Sequence, residues 1–445
     1  MLKRLVCTLL CLCAASAFAP IAFAQNSGDL RVIIDRGNET AIEIAVVPFG
    51  WQGPGAAPVD IANVISTDLQ RSGVFQPMTR ETLPERPVGD RDINFRVWRR
   101  VTSYLVVGKL LPSAGGRYVV QFRLFDVLKR DDKLGLGGTQ LTGLQFDRAA
   151  AELRSTAHDI SDRIYEAITG NPGSFNTRIA YITEQSAGAK KKNYSLKIAD
   201  SDGFNATSVL NSTQPIMSPT WSPDGARLAY VSFEGRRARI YLQDLATGTR
   251  QQLAAFRGIN GAPAFSPDGT RMALTLSKDG NPEVYVLHLR SRKLNRVTNN
   301  PAIDTEPSWS PDGRSLIFTS DRSGGPQIYR VSSNGGQSRR ITFEGNYNAG
   351  ASFAPDGREI VMVHNAGNGY RIAVMDLETQ KVRVLTKNRL DDSPSYSPNG
   401  AMVLYSTTGR NGATLAAVTT DGRFLQILPL KSGGLVRDPA WAPSR

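Results

Sequence analysis

The three histidines of this chain are the side chains best suited to metal binding or to proton transfer near neutral pH. His158, His288 and His364 are far apart in the sequence, and no two have the spacing that would place two metal ligands on one helix face. No His-Glu-x-x-His motif, Gly-x-Ser-x-Gly nucleophile elbow, phosphate-binding glycine loop or dinucleotide fingerprint occurs. The sequence therefore predicts no catalytic residue, no metal site and no cofactor.

Aspartates recur in one short phrase, an aromatic residue followed by Ser or Ala, Pro, Asp and Gly. The phrase contains Asp224, Asp268, Asp312 and Asp356. Such carboxylates could bind calcium. In this setting Pro presets φ, Asp can accept hydrogen bonds from its own backbone, and Gly tolerates a positive φ, so each phrase favours a hairpin corner. We interpret the aspartates as turn caps, with calcium binding as the alternative.

The same phrase repeats at a regular interval through the C-terminal part of the chain. Its aromatic residues are spaced by 44, 44, 44, 43 and 45 positions, at Trp221, Phe265, Trp309, Phe353, Tyr396 and, in a degraded form, Trp441. This is the period of a four-stranded propeller blade. Alternating apolar strands follow every complete corner, such as 227–232 and 315–320. The pattern predicts a β-propeller.

The two ends of the repeat array are incomplete in complementary ways. Residues 179–182 and 196–200 resemble the second and third strands of a blade that has no corner before them, whereas no strand follows the corner at Trp441. If residues 439–441 supply the missing innermost strand, the ring closes without an exposed sheet edge. The sequence thus predicts an all-β six-bladed β-propeller over residues 171–445.

The N-terminus resembles a secretory signal peptide over residues 1–24. Lys3 and Arg4 precede an apolar run, and Ala22-Phe23-Ala24 forms a cleavage site before Gln25. Lipidation at Cys11 is disfavoured because Leu10 is too large for the position before an acylated cysteine. All three cysteines lie in this segment, so the mature chain is expected to form no disulfide and no thiolate metal site. No later apolar segment is long enough to span a membrane.

Residues 25–170 are predicted to form a separate small α/β domain. The segment ends in Gly170-Asn171-Pro172-Gly173, which is typical of a helix terminator and a linker. The predicted strands are 30–34, 42–47, 104–111 and 118–127, and the predicted helices are 59–70, 95–100 and 149–168.

Charge divides the chain in the same way. Residues 26–170 hold 18 acidic and 18 basic residues, whereas residues 171–445 hold 22 acidic and 33 basic residues, a net of +11. The basic residues are scattered over turns and outer strands without exposed aromatic residues between them. This distribution favours a solvated exterior over nucleic-acid binding and leaves a weaker attraction to acidic partners or lipid headgroups open.

The whole chain is similar to the TolB family, the periplasmic component of the Tol-Pal system of Gram-negative bacteria. The order of its parts carries the resemblance, together with these phrases: 31–35, 46–49, 260–269, 305–309 and the closing 438–443. The resemblance implies a non-enzymatic periplasmic interaction protein that supports outer-membrane integrity and invagination during cell division. It implies Pal and TolA as partners, with other outer-membrane proteins as further candidates.

The resemblance also implies where these partners bind. Pal is expected at the mouth of the propeller channel, on Met217, Ser218, Asn260, Ala262, Thr305, Glu306, Asn348, Asp391 and Asp392. The mature N-terminal segment is expected to bind TolA through Arg31, Val32, Ile33, Ile34 and Asp35. Ile259 departs from the histidine that relatives often have, so a polar contact is not expected there. Because Glu306 precedes Pro307, its backbone is predicted to be extended, with the carboxylate at the rim.

Two other functions fit a propeller with such corners. It could gate substrate access as the non-catalytic propeller of a prolyl-oligopeptidase-like peptidase, but that class needs an α/β-hydrolase domain with a nucleophile elbow. It could also bind a sugar or a quinone cofactor, which would require convergent polar or metal-binding groups. The few histidines do not favour the latter function.

Overall fold

The computed structural model describes residues 31–34, 41–129, 137–186, 188, 191–409, 412–428, 430 and 434–444. The predicted signal peptide and Asp35 lie outside these residues. The strands of the N-terminal part are β1 (Arg31–Ile34), β2 (Ile42–Val46), β3 (Gly50–Trp51), β4 (Phe75–Pro77), β5 (Tyr104–Ser113), β6 (Arg117–Asp126) and β7 (Thr139–Ala149). The helices are α1 (Ile61–Arg71), α2 (Phe95–Trp98) and α3 (Leu153–Thr169).

A mixed sheet in the order β4-β2-β5-β6-β7 forms the N-terminal domain, with β3 paired to β5. Helices α1 and α3 bury their apolar faces against this sheet, with Ile65, Leu69 and Ile160 in the core. The side chain of Asp60 caps α1 by accepting a hydrogen bond from the Asn63 amide. Helix α3 ends at Gly170, which has a φ of 75°, as its position in the sequence predicts.

The prediction for residues 149–168 was partly wrong, because Ala149 still belongs to β7 and α3 begins at Leu153. Strand β7 was missed. Its side chains are mostly exposed or half-buried, so the sequence gives only a weak alternation of apolar and polar residues.

Six further sheets follow and confirm the predicted propeller: five have four strands, and the sixth has five because β1 is added to its outer edge. Blade 1 contains β8 (Arg178–Ser186), β9 (Lys192–Asp200) and β10 (Thr207–Ser212); blade 2 contains β11 (Ile216–Trp221), β12 (Arg227–Ser232), β13 (Arg239–Asp244) and β14 (Arg250–Ala254); blade 3 contains β15 (Asn260–Phe265), β16 (Arg271–Leu276), β17 (Glu283–His288) and β18 (Leu294–Arg296).

The second half of the propeller has the same plan. Blade 4 contains β19 (Asp304–Trp309), β20 (Ser315–Ser320), β21 (Gln327–Ser332) and β22 (Arg339–Arg340); blade 5 contains β23 (Tyr347–Phe353), β24 (Glu359–Asn365), β25 (Arg371–Asp376) and β26 (Val382–Val384); blade 6 contains β27 (Asp391–Tyr396), β28 (Met402–Gly409), β29 (Gly412–Thr419) and β30 (Phe424–Ile427). The last strand is β31 (Leu435–Trp441).

Strand β31 closes the ring by pairing with β8 of blade 1, with Trp441 opposite Ile179. The buried indole of Trp441 donates a hydrogen bond to Thr177 Oγ1 at 2.8 Å. Its backbone N–H donates to Ser395 Oγ of blade 6 at 2.9 Å. The predicted closure is therefore confirmed, and β31 ties the first blade to the last.

The aspartates of the corners have the turn role that the sequence predicts. The Oδ1 atom of Asp224 accepts hydrogen bonds from the Ser222 hydroxyl and, at 3.0 Å, from the Ala226 amide. These donors hold the pKa of Asp224 below its ordinary value. Asp268 repeats this arrangement with Ser266 and Thr270. The carboxylates therefore stabilise the corners.

The N-terminal domain sits on the side of the propeller where these corners lie. Arg71 Nη2 of α1 donates to Ser201 Oγ in the turn after β9 at 2.7 Å. The amide of Asn399, in the corner of blade 6, donates to the Pro172 carbonyl at 3.0 Å. The innermost strands begin on the opposite face. Within the described ranges, no helix has the length and apolar character needed to cross a membrane.

Candidate functional site

The innermost strands of the six blades are β11, β15, β19, β23, β27 and β31. They run in the same direction around the channel, so residues at equal distances from the corner aromatic form rings. Each of these strands has a register shift before its corner. The residue three positions before each aromatic has a positive φ between 44° and 59°, and these residues form the bulge ring: Ser218, Ala262, Glu306, Gly350, Ser393 and Asp438.

A positive φ is rare for residues other than glycine, and such strain tends to cluster at functional sites. Here it arises from a β-bulge that recurs in every blade. The prediction of an extended backbone at Glu306 is therefore wrong, since its φ is 53°. The bulge brings Glu306 Oε2 within 2.9 Å of the Gly350 amide and 2.8 Å of Thr319 Oγ1, and both donate to it.

Five positions before the aromatic, four blades have a buried polar side chain, and we call these residues the anchor ring: Asn260, Asp304, Asn348 and Asp391. Asn260 holds the preceding loop, because its Nδ2 donates to the Phe256 carbonyl at 2.8 Å and its Oδ1 accepts from the Phe256 amide at 2.9 Å. Asp304 binds the Arg322 guanidinium through both carboxylate oxygens. Neither side chain reaches the surface.

The other two anchors are held in similar ways. Asn348 Nδ2 donates to Gln327 Oε1, and its Oδ1 lies 2.8 Å from His364 Nδ1. Asp391 accepts from the Thr407 hydroxyl at 2.6 Å, and its burial raises its pKa. Three of the residues predicted to contact a partner, Asn260, Asn348 and Asp391, thus lie beneath the mouth. They position the loops that form it.

The remaining predicted residues line the mouth or the channel. Met217 is exposed, Thr305 is half-buried and Asp392 is exposed. Ser218, Ala262 and Glu306 belong to the bulge ring and line the channel itself. The structure therefore brings six of the nine predicted positions together around one opening.

The sequence reasoning missed the other half of the bulge ring. Gly350, Ser393 and Asp438 occupy the same positions in blades 5, 6 and 1 and line the same channel. Asp438 Oδ2 accepts from the Ser218 amide at 3.1 Å, and its burial raises its pKa. The period of 43 to 45 residues would have located all three residues.

One position further out, six positions before the corner aromatic, every blade has an apolar residue. We call these residues the apolar crown: Pro215, Ile259, Ile303, Tyr347, Leu390 and Leu435. Four of them, Ile259, Ile303, Leu390 and Leu435, are between 46% and 56% exposed. Exposed apolar side chains that recur around one opening are typical of an interaction site. The exposed side chain of Ile259 therefore fits an apolar contact with a partner.

Inside the crown, the channel contains a cavity of about 280 Å³ that is lined by residues from all six blades. Three carboxyl side chains, of Glu306, Asp392 and Asp438, are among its lining groups. The mouth thus combines an apolar rim with a polar and partly acidic interior. That combination suits a protein partner that inserts a protruding segment.

The N-terminal strand lies away from the channel mouth, at the outer edge of blade 6. Strand β1 pairs antiparallel with β30 at the outer edge of blade 6, with Arg31 opposite Ile427 and Ile34 opposite Phe424. The segment predicted to bind a partner is thus paired, as an edge strand, with a sheet of its own chain. Asp35, the last residue of that prediction, lies outside the described residues.

Comparison with known proteins decides the family. Residues 30–133 match the family model described as the TolB amino-terminal domain, and residues 165–445 match the TolB beta propeller domain. The Tol-Pal system protein TolB of Thioalkalivibrio sulfidiphilus is 58% identical over 417 residues, which cover 93% of this chain and 94% of that protein. This chain belongs to the TolB family.

Two further members agree with this assignment. The Tol-Pal system protein TolB of Xanthomonas campestris is 49% identical over 428 residues, covering 95% of each chain. The crystal structure of TolB from Acinetobacter baumannii is 42% identical, has a TM-score of 0.84, and covers 94% of this chain and 100% of that one. The two-domain architecture is therefore that of TolB.

A buried cluster at the contact between the two domains also contains groups that could bind a metal. Asp68 of α1, His158 of α3 and Asp202 of the propeller place ligand atoms within 4.8 Å of one another. Arginines already hold both carboxylates, because Arg71 Nε bonds to Asp68 at 3.1 Å and Arg154 pairs with Asp202. In this TolB chain the cluster therefore serves as an ion-pair network that joins the domains.

The two central groups of the network shift each other's pKa. Burial disfavours the charged form of His158, but the carboxylates of Asp68 and Asp202 outweigh this effect and raise the pKa of His158. Burial also disfavours ionised Asp68, but His158 and Arg71 outweigh it and lower the pKa of Asp68. His158 Nδ1 lies 2.7 Å from Asp68 Oδ2, so both groups favour their charged forms.

Proposed function

We propose that this TolB-family chain is a non-enzymatic periplasmic component of the Tol-Pal system that binds Pal at the channel mouth and TolA through its N-terminal segment. In this role it supports outer-membrane integrity and invagination during cell division. The observation that carries the proposal is the apolar crown around a partly acidic channel, on the face opposite the N-terminal domain. The names of the relatives support assignment to the Tol-Pal system.

The layout of the mouth supports a protein partner. Partner surfaces owe most of their affinity to a few desolvated contacts, surrounded by others that exclude water. The crown supplies apolar contacts on every side, whereas Glu306 and Asp392 supply charged acceptors inside it. A protruding loop of Pal would bury its apolar residues on the crown and place donors on these carboxylates.

Glu306 offers the sharpest test of this interface. Its Oε2 accepts from Gly350 and Thr319, and its Oε1 has no hydrogen-bond partner among the described residues. A hydrogen-bond donor on Pal would bind to Glu306 Oε1. We expect Glu306→Gln and Glu306→Ala to weaken Pal binding by roughly tenfold or more, because truncating one partner of a desolvated charged hydrogen bond costs about 2–5 kcal/mol. Isothermal titration calorimetry with the periplasmic domain of Pal measures this change.

The matched control is Glu378→Gln, in the outer turn of blade 5. Glu378 is exposed, and its side chain makes no hydrogen bond within the described part of the chain. This variant loses the same charge and should bind Pal like the wild type. Of the two Glu306 variants, Glu306→Gln retains a hydrogen-bond acceptor and should change the melting temperature little. Unchanged Pal affinity in both Glu306 variants would contradict the proposed interface.

The N-terminal strand supports the second half of the proposal. Strand β1 already forms a regular antiparallel pair with β30, so the segment can adopt the geometry that strand addition to a partner requires. A strand of TolA would pair with the edge of β1 that faces away from β30, or it would take the place of β30 beside β1. Deletion of residues 26–36 is expected to abolish TolA binding and to leave propeller stability and Pal affinity largely intact, because the part of this segment that the structure describes is a four-residue edge strand.

A point substitution gives a matched pair for this deletion. Ile33→Pro removes one backbone donor from β1, whereas Ile33→Val retains it. If TolA binds through backbone pairing, the proline variant should bind at least tenfold more weakly than the valine variant in calorimetric titration. Equal affinities for TolA in the wild type and the deletion variant would exclude this segment as the binding site.

A further inference from the structure

A second cavity opens on the same face as the channel mouth, at the junction of blades 2 and 3. Its volume is about 770 Å³, larger than that of the channel cavity and within the range of about 300–1,000 Å³ found for ligand sites. It lies beside the apolar crown, because Ile259 of the crown forms part of its wall. Met217 forms another part of the wall. Of its lining residues, Met217, Ser218 and Asn260 were predicted from the sequence to contact a partner, whereas no sequence pattern singled out Arg237 or Arg257.

The interior of this cavity is apolar. The buried Val231 and the half-buried Phe233 and Ala238 line it, together with Met217 and Ile259, which are 39% and 48% exposed. Exposed apolar side chains at a concave site favour an apolar ligand group, because its burial removes both surfaces from water. The cavity therefore fits an aromatic or aliphatic side chain.

Two arginines give the same cavity a positive charge. Arg237 and Arg257 both line it and both are exposed. In the parts of the chain that the structure describes, neither guanidinium has a hydrogen bond or an ion pair. Glu234, the acidic residue nearest in sequence to Arg237, is already bound by Arg250 at 2.8 and 3.3 Å. Guanidinium groups bind carboxylates in bidentate geometry, so the cavity complements an acidic group.

The wall that contains Arg257 is held in place before any partner binds. Asn260 bonds to the Phe256 amide and carbonyl and to the Gly258 carbonyl. The Ile259 amide donates to Ser277 Oγ at 2.7 Å. Gly258 has a φ of 85°, and a Cβ atom there would lie 2.3 Å from Ser277 Oγ, so only glycine fits. A preformed wall lowers the entropic cost of binding.

We infer that this cavity binds a short acidic and apolar peptide segment, whose aromatic or aliphatic side chain enters between Met217 and Ile259 while its carboxylates pair with Arg237 and Arg257. The inference rests on the proposed docking of a protein at the mouth, and it names the chemistry of one segment of that partner. Because an apolar crown residue recurs in every blade, a basic cavity at the junction of blades 2 and 3 would also fix the rotational register of the partner.

Two variants of the full mature chain test the inference. Arg237→Glu/Arg257→Glu reverses the charge of the cavity. Gly261→Leu fills it from its wall, where a Cβ atom would have open space and only Ile259 within 4 Å. Arg290→Glu/Arg339→Glu is the control, because it makes the same change in net charge at exposed side chains of blades 3 and 4 that lie outside the cavity.

The probes are the periplasmic domain of Pal and an end-capped Asp-Phe-Glu-Leu-Asp peptide, together with its Asn-Phe-Gln-Leu-Asn analogue. The acidic peptide should bind the wild type at least tenfold more tightly than the amide analogue does. Both cavity variants should lose this preference and bind Pal at least fivefold more weakly, and the control should behave like the wild type.

The outcomes separate this inference from the proposed function. If Pal binds the wild type and both cavity variants equally, and the two peptides bind alike, the inference is overturned and the docking of Pal stands. If Pal does not bind but the acidic peptide discriminates as expected, the cavity assignment stands and the proposed partner is wrong. Binding of dodecanoate in the cavity without any preference for the acidic peptide would assign the site to an amphiphile instead.

Discussion

Deletion of residues 437–445 is expected to lower the free energy of unfolding by roughly 3–5 kcal/mol, on the scale of large-to-small changes in a core. The deletion removes most of β31, and with it the buried indole of Trp441 and the pairing with β8. It also removes the Ala440 carbonyl that accepts from the Trp221 indole at 3.0 Å. Blade 1 would then expose the edge of β8, so the truncated protein should aggregate.

Thermal unfolding and size-exclusion chromatography measure these two effects. Deletion of residues 443–445 is the matched control, because it leaves β31 and Trp441 in place. Trp441→Ala isolates the contribution of the indole and should account for much of the loss. A monomeric elution profile and an unchanged melting temperature for the longer deletion would show that β31 does not hold the ring closed.

Asp68→Ala should have a comparable effect at the domain contact. Removal of one partner from a buried ion pair typically costs about 3–5 kcal/mol, because the other charge is left buried without a partner. Here two cationic groups would lose their carboxylate, since Asp68 binds both Arg71 and His158. Asp159→Ala, on the outer side of α3, removes only a surface pair with Arg163 and should cost less than about 1 kcal/mol.

The pH dependence of stability provides a second check on this network. The pKa of His158 is raised in the folded state, so its contribution is fully present below its unfolded value of about 6.5 and is lost as pH rises through the folded value. Burial also raises the pKa of Asp162, to about 6, which adds to the loss of stability in the same direction.

Chemical denaturation at pH 5.5 and pH 8 should therefore show a more stable wild type at the lower pH. In Asp68→Ala the part of this difference that is due to His158 should shrink, because only Asp202 remains to raise the pKa of His158, and the part due to Asp162 should remain. If the difference in stability between pH 5.5 and pH 8 is the same in both proteins, Asp68 does not raise the pKa of His158.

Much of the fold could be predicted because its signals are local. A corner such as 221–225 contains its own turn chemistry, and the interval between corners gives the length of a blade. The incomplete blade at residue 179 and the unpaired corner at Trp441 together required closure, because a propeller with an open edge would be a liability. The end of helix α3 at Gly170 could also be predicted from a local signal, because a helix terminus with a left-handed conformation favours glycine.

The site could be predicted only in part. The sequence located the residues before each corner. It could not show that Asn260 and Asn348 point into the fold and anchor loops, because an Asn side chain can be either buried with hydrogen-bond partners or exposed to solvent. The positive φ of Glu306 was also hidden, because the proline after it favours an extended backbone and only the bulge shared by all blades overrides that preference.

The repeat and the order of the two domains were thus determined by the sequence itself, through turn chemistry between residues close in the chain and through one period. Closure joins distant residues, but it was predictable because the two ends of the repeat array are incomplete in complementary ways. The tertiary structure alone decided the apolar crown, the cavity beside Arg237 and Arg257, the pairing of β1 with β30 and the contact of His158 with Asp68. These features join residues that are tens to hundreds of positions apart. Their formation depends on how blades and domains pack, and short-range turn and strand preferences do not encode that packing.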